Sequence, residues 1–493
     1  MMDLNKDNAT EFSITRWNFL LLSCAAIIGL GDLWGFPFQV GQYGGGVFLL
    51  FYLLFLLLMS MPIMVVVILL GRRGLLSPIN TMKTLALEQG THSSWRYVAW
   101  VGTIAGAIIL SYYSVFAGET LAYIFRAAGG VFAAQTTDGI QSIHTNFRTN
   151  PESLLAWHTI LIVMVCIIIS RGCRSGVLLV NKFLLPVFFI AMLILIITAI
   201  LSGGGEASKQ YLFTLDWHAF FYPPDTSGLN LISTTIEPEF SYKGIVKAIE
   251  SAFYTIALGM LAVMAYASYL NQKGCVIRTA VVVVMLDFLV SIIIGWATLS
   301  LVYANSLTEA GGPELAFEIM PFIFGSMVNG STLATFYYIL LFLAAITTMV
   351  ALIEPLVLWL TERFSLSRVR ASVWSGTIIW FVGLFSIFSV TGVSINEMFH
   401  GLTEWLGADK LNSNENEFAL TAFQLFDFIA VKWMLPITAL FLIIFAGWKM
   451  DKDSLRLELD VNDRLTLSIG VWMVRYIAPL LIIVVILRSA NIV

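Results

Sequence analysis

Long apolar stretches, each closed off by a few polar residues, recur along nearly the whole chain. They fall at roughly 17–40, 47–70, 95–125, 154–171, 178–202, 245–270, 275–303, 333–362, 369–391, 421–448 and 466–487. Each approaches or exceeds the ~20 residues that carry an α-helix across a bilayer. The pattern predicts an all-α polytopic membrane protein of about eleven spans.

The first stretch is a poor anchor. Its middle reads Gly29-Leu30-Gly31-Asp32-Leu33-Trp34-Gly35-Phe36-Pro37. Glycine weakens a helix, proline breaks one, and an aspartate at bilayer depth is costly. Unwound backbone survives in a membrane only where it lines a cavity or is buried in protein. A span broken at the midplane exposes carbonyls and half-helix ends that can hold a cation and a small polar solute. The chain therefore reads as a transporter with its binding site on span 1.

Composition narrows the class. Only 12% of the 493 residues are charged, and the mean hydropathy is +0.86, far from an ordinary soluble domain. Met1–Thr15 is polar and leads into a span too long for a signal peptide. Cys24, Cys166, Cys173 and Cys275 form neither a metal spacing nor a disulfide framework. No phosphate-binding loop, H-E-x-x-H motif or nucleophile constellation occurs, which argues against an enzyme and leaves an ion gradient as the energy source. No basic stripe suggests nucleic acid. Arg72, Arg73, Arg171, Arg174, Lys273, Arg278, Arg363, Arg368 and Arg370 all fall in alternate loops. That bias puts the N-terminus in the cytoplasm, the C-terminus outside, and the protein in the cell inner (plasma) membrane.

Polar residues inside other spans add to the picture. Span 3 carries Tyr112-Tyr113, span 6 Tyr254-Thr255, span 7 Asp287 and Ser291, and span 8 Thr347-Thr348. A Thr-Thr pair commonly just bonds back to its own helix. An intramembrane Asp is different, because function is its default reading. Asp32 and Asp287 with nearby hydroxyls supply hard oxygens for a small hard cation.

The motif GLGDLWGFPFQVGQYGGGVF resembles the first-helix signature of the neurotransmitter:sodium symporter family, GLGNxWRFPxxxxxNGGGxF. SYYSVFAGETLAY, SRGCRSGVLLVNKFLLP, AFYTIALGMLAVMAYASYL and FLAAITTMVALIEP resemble its third helix, fourth-to-fifth connection, sixth helix and eighth helix, in order. The resemblance implies a leucine-transporter-like fold: a 5+5 inverted repeat with discontinuous helices 1 and 6. The implied organisation is a tail 1–16, a first repeat 17–202, an outer loop 203–244, a second repeat 245–448, and span 11 with the C-terminus at 466–493.

The same resemblance implies two sodium sites and a substrate pocket. Sodium 1 would use Ile27, Asp32, Thr255 and Asp287; sodium 2 would use Ala25, Ile28, Ala344, Thr347 and Thr348. The pocket would be lined by Ile27, Gly29, Gly31, Ile109, Tyr113, Tyr254, Ala257, Met260, Thr348 and Leu352. Asp427 and Glu362 match the family's outer and inner gate acids. The implied function is sodium-coupled symport of a small solute by alternating access, with a neutral hydrophobic amino acid fitting the apolar lining. An amine carrier, coupled to sodium or protons, and a non-transporting sensor stay open. Monomer and homodimer are not distinguished.

Several positions depart from the family. Asp32 and Asp287 both stand where the family usually has Asn, so chloride is not expected. A substrate carboxylate would add a third negative charge around one sodium. Either one Asp is then protonated in the loaded state, or the substrate lacks a carboxylate and Asp32 replaces it. Gly35 replaces the outer-gate Arg, Ser251 replaces a Gln, and no Arg stands near Thr10-Glu11-Phe12 for the inner gate. Lys432 is one candidate replacement partner for Asp427; Glu119, in place of an aromatic, shares the outer half of the membrane with Lys432, and pairing of the two and exposure of each to vestibule water both stay open.

Overall fold

The computed structural model describes residues 14–222, 241–270, 276–307, 312–391, 422–451 and 464–490. The position near Glu11, Lys273, Cys275 and the inter-span residues 223–240, 308–311 and 392–421 lie outside the described residues.

Span 1 is two helices. Arg16–Ile27 (span 1a) and Leu30–Gln42 (span 1b) meet at 60° across Ile28-Gly29. Gly29 is extended there (φ −124°, ψ −178°) and starts the second half. Ten further spans follow: Gly46–Gly74, Ser93–Ala128, Pro151–Ser170, Cys173–Leu201, Lys243–Ala267, Val276–Ala304, Gly330–Phe364, Arg368–Val390, Ala422–Lys449 and Ser468–Ser489, taken as spans 2 to 11. Span 6 is interrupted at Leu258-Gly259, dividing it into span 6a, Lys243–Ala257, and span 6b, Met260–Ala267.

The two breaks meet. A Cβ on Gly259 would sit 2.8 Å from the Ala26 carbonyl oxygen and 3.3 Å from Ile27 Cγ1. Only a residue without a side chain lets the unwound segments approach that closely. Span 3 lies along span 8, span 6b along span 2, and span 1a against span 8. Span 8 is the most enclosed, with 83% of its central window buried, against 28% for span 11. Lipid is as apolar as leucine, so small residues at interfaces replace the hydrophobic drive for helix pairing. Gly102 on span 3 allows this, since a Cβ there would meet Leu261 and Thr438 at 2.6–2.7 Å.

The loops contain helices that hydropathy does not signal. Pro78–Glu88 lies between spans 2 and 3, Thr137–Arg148 between spans 3 and 4, and Gly205–Phe213 and Trp217–Phe221 between spans 5 and 6. Leu315–Ser326 lies between spans 7 and 8 and is too short to cross. Its Phe317 ring reaches Trp34 of span 1b, centroids 6.0 Å apart.

Candidate functional site

The break in span 1 is built from unsatisfied helix ends. The first N–H groups of a helix have no partner within it. The Gly29 N–H donates to Asp32 Oδ2 at 2.9 Å, and the Leu30 N–H donates to the Tyr113 hydroxyl at 3.1 Å. On the other side of the break, the Ile28 carbonyl accepts from Thr348 Oγ1 at 3.1 Å. A Cβ on Gly29 would lie 3.6 Å from both the Thr348 and Tyr113 hydroxyl oxygens. Gly29, Tyr113 and Thr348 thus converge, while no atom lies within 4 Å of a Cβ built on Gly31 or Gly35.

Two oxygen-rich clusters flank this point. In the first, Asp287 is 1% exposed and neither carboxylate oxygen accepts a hydrogen bond. Asp32 lies close enough to Asp287 for their charges to interact. Thr255 Oγ1 lies 2.9 Å from the Tyr52 hydroxyl and donates to Ser251 O. The hydroxyls of Ser23 and Ser291 are also buried without partners. A carboxylate sealed from water with no donor needs a cation or a proton. The donor set is hard oxygen throughout and fits sodium.

In the second cluster, Ala25, Ile28, Ala344 and Thr347 line one small cavity with Leu184, Leu185, Phe188 and Leu343 of spans 5 and 8. The Thr347 hydroxyl donates to Leu343 O and Ala344 O, and Thr348 also donates to Ala344 O. All five sequence-predicted residues of this site are therefore neighbours. Carbonyls freed by the break and two hydroxyls again fit a small hard cation.

Ala257 and Leu352 share a narrow cavity with Gly102, Gly106, Leu258 and Leu261, extending the predicted pocket between spans 3, 6, 8 and 10. Ile27, Ile109 and Met260 are buried, and Tyr254 is half-buried.

Several expectations change. Glu119 does not pair with Lys432. Its oxygens lie 3.0 Å from His144 Nδ1 and 3.9 Å from Arg148 Nε, both on the helix Thr137–Arg148. Lys432 Nζ lies over the Phe428 ring, 5.8 Å from its centroid. Equal depth in the membrane does not fix which way a side chain turns around the helix axis. Asp427, deprived of an arginine by Gly35, accepts instead from the Tyr112 hydroxyl at 2.9 Å. Gln39 accepts from Ser251, bringing an amide to the place where Ser251 replaces the family's Gln. Glu362 accepts from the Ser77 N–H and Asn80 Nδ2, both at 2.6 Å, tying span 8 to the helix Pro78–Glu88.

Sequence reasoning missed a buried ion pair. Arg368 Nη2 donates to both Glu354 oxygens at 2.5 Å, and the Tyr269 hydroxyl donates to Glu354 at 2.7 Å. Arg368 Nε also donates to Ile169 O at 2.9 Å. One network thereby joins spans 4, 6, 8 and 9. The only sequence signal was the intramembrane Glu354 itself.

Comparison with known proteins converges on one family. The profile of the sodium:neurotransmitter symporter family matches residues 11–136. An uncharacterized sodium-dependent transporter of Bacillus subtilis (strain 168), YhdH, is 25% identical over 481 residues, covering 97% of each chain. The sodium-dependent nutrient amino acid transporter 1 of Drosophila melanogaster is 23% identical over 70% of this chain and 60% of that one. The solved structure of MhsT in complex with L-phenylalanine superposes with a TM-score of 0.81, at 28% identity, covering 97% of this chain and 99% of MhsT. Over these residues and across the fold, the chain is similar to the sodium:neurotransmitter symporter family. It is a multi-pass membrane protein with a leucine-transporter-like fold, and the proteins it resembles are sodium-dependent transporters. The residues that depart most from that family's pattern, Asp32, Asp287 and Gly35, lie at the break in span 1 or beside it.

Proposed function

We propose that this transporter carries a neutral hydrophobic amino acid into the cell with sodium, by alternating access about the break in span 1. One observation carries the reading. The Leu30 N–H donates to the Tyr113 hydroxyl at the N-terminus of span 1b, beside two oxygen-rich clusters, which leaves that hydroxyl's own proton to donate. Such a helix end with a hydroxyl donor binds a carboxylate. The apolar lining from Ile109, Ala257, Met260 and Leu352 then takes the side chain. The L-phenylalanine bound to MhsT and the amino acid named for the Drosophila relative support this class.

Two sodium ions complete the site. Ile27, Asp32, Thr255 and Asp287 hold the first; Ala25, Ile28, Ala344, Thr347 and Thr348 hold the second. Chloride is not required, because Asp287 supplies the negative charge. The N-terminus is cytoplasmic and the C-terminus extracytoplasmic in the cell inner membrane.

A second reading rests on Asp32. Its carboxylate already caps the Gly29 N–H and neutralises the helix end. An amine would then use Asp32 in place of its own missing carboxylate. Thermal stability in sodium and in potassium against a panel of amino acids and amines separates the two, because a ligand that binds the folded state raises stability by mass action. Stabilisation by a neutral amino acid only in sodium supports the first reading; stabilisation by an amine supports the second.

A further inference from the structure

Glu119 stands apart from the transport site. It is 2% exposed on span 3, and its Oε1 accepts no hydrogen bond. His144 of the helix Thr137–Arg148 is wedged between it and a second acid. His144 Nδ1 lies 3.0 Å from Glu119 Oε1 and 3.2 Å from the Tyr123 hydroxyl, and Nε2 lies 3.8 Å from Glu318 Oε1. Glu318 belongs to the short helix Leu315–Ser326. Arg148 Nε, 3.9 Å from Glu119 Oε2, is the nearest cation. Arg126 of span 3 faces the Tyr123 and Phe147 rings and donates to Ile143 O. Tyr338 of span 8 stacks on Phe317.

A neutral imidazole has one N–H and one lone pair. With a carboxylate on each side, one acid always faces a lone pair, and the buried Glu119 is the one left without a donor. Imidazolium carries a donor on each nitrogen and places a positive charge between the two acids, 3.0 Å from Glu119 and 3.8 Å from Glu318. Histidine is the side chain whose ordinary pKa, near 6.5, allows this change within the physiological range.

The site is connected to the broken helix by packed rings. His144 stacks on Phe317 (5.7 Å, 11°), and Phe317 packs on Trp34 of span 1b at 6.0 Å. Trp34 in turn packs edge-on against Phe116 of span 3 at 6.4 Å.

We propose that His144, between Glu119 and Glu318, is a regulatory proton site on the outer side of the protein: protonation clamps the helix Leu315–Ser326 over span 1b and favours the outwardly closed state. The sign follows from linkage. Only the clamped state sets a protonated imidazole between two carboxylates, so by linkage the clamp is favoured at acidic external pH and weakened as pH rises. No transported proton is involved. The inference rests on the transport reading only for its uptake readout.

The test uses the full-length protein. Hydrogen exchange of 315–326, corrected for intrinsic rates, is measured at pH 5.5 and 7.5 in wild type, His144→Gln and Glu318→Gln. Sodium-driven uptake into proteoliposomes is measured over the same external pH range at fixed internal pH. Wild type should protect 315–326 severalfold more at pH 5.5, and His144→Gln should abolish that difference. Glu318→Gln, at a more exposed and fold-tolerant position, should reduce that difference without abolishing it. Wild type and His144→Gln with the same pH dependence of exchange would overturn the proposal. Because exchange does not depend on solute, that outcome is separable from a failure of the transport reading.

Discussion

Replacing Arg368 by alanine removes the one cation that, among the described residues, binds Glu354, a side chain with 0% exposure. Four hydrogen bonds go with it: two to Glu354, one to the Tyr269 hydroxyl at 3.2 Å and one to Ile169 O. Glu354 keeps only the Tyr269 donor. Breaking a buried pair by removing one partner costs about 3–5 kcal/mol, because the remaining charge is stranded. Removing both charges with apolar groups of similar volume is often neutral or stabilising. Glu354→Leu with Arg368→Met should therefore recover most of the loss, short of the ~1 kcal/mol for the orphaned Tyr269 hydroxyl. Equilibrium unfolding in mixed micelles of increasing denaturing detergent measures each variant. The pair also joins spans 4, 6, 8 and 9, so the double variant should occupy conformations in which these spans separate more often. A double variant no more stable than Arg368→Ala would refute the reasoning, since the loss would then not come from a stranded charge.

Other perturbations probe the site itself. Gly259→Ala places a Cβ 2.8 Å from the Ala26 carbonyl; it should cost about 1–3 kcal/mol in thermal unfolding and abolish uptake. Thr348→Val removes the donor to Ile28 O and one proposed sodium oxygen. Its apparent sodium affinity, read from uptake against sodium concentration, should fall about tenfold or more, as for a lost bond to a charged group. Tyr113→Phe should raise KM for an amino acid by a similar factor while leaving the affinity for an amine nearly unchanged. Asp32→Asn retains an oxygen for the Gly29 N–H, so it should fold normally but alter sodium dependence; unchanged sodium and pH dependence would remove Asp32 from the coupling.

Much of this architecture was legible because a bilayer limits what a span can contain. The Gly29–Pro37 run was visible as a break, and Asp32 and Asp287 stood out against an apolar background that makes such residues costly. What escaped was set by rotation about helix axes and by segments outside the bilayer. Hydropathy gives Glu119 a depth but not a direction, so Lys432 at the same depth stood as a candidate partner while His144, outside the spans, did not enter. Arg368 read as an orientation signal in a short loop, although its side chain turns inward to Glu354. The helices Thr137–Arg148 and Leu315–Ser326 lie outside the spans, where no membrane pattern marks which face packs on the bundle.

The most direct test of sodium-coupled amino-acid symport is accumulation of a radiolabelled neutral hydrophobic amino acid in proteoliposomes under an imposed inward sodium gradient. The account predicts uptake above the external concentration that collapses when the gradient is dissipated and is absent in Asp287→Asn. Equal uptake with an inward potassium gradient, or wild-type accumulation by Asp287→Asn, would contradict it.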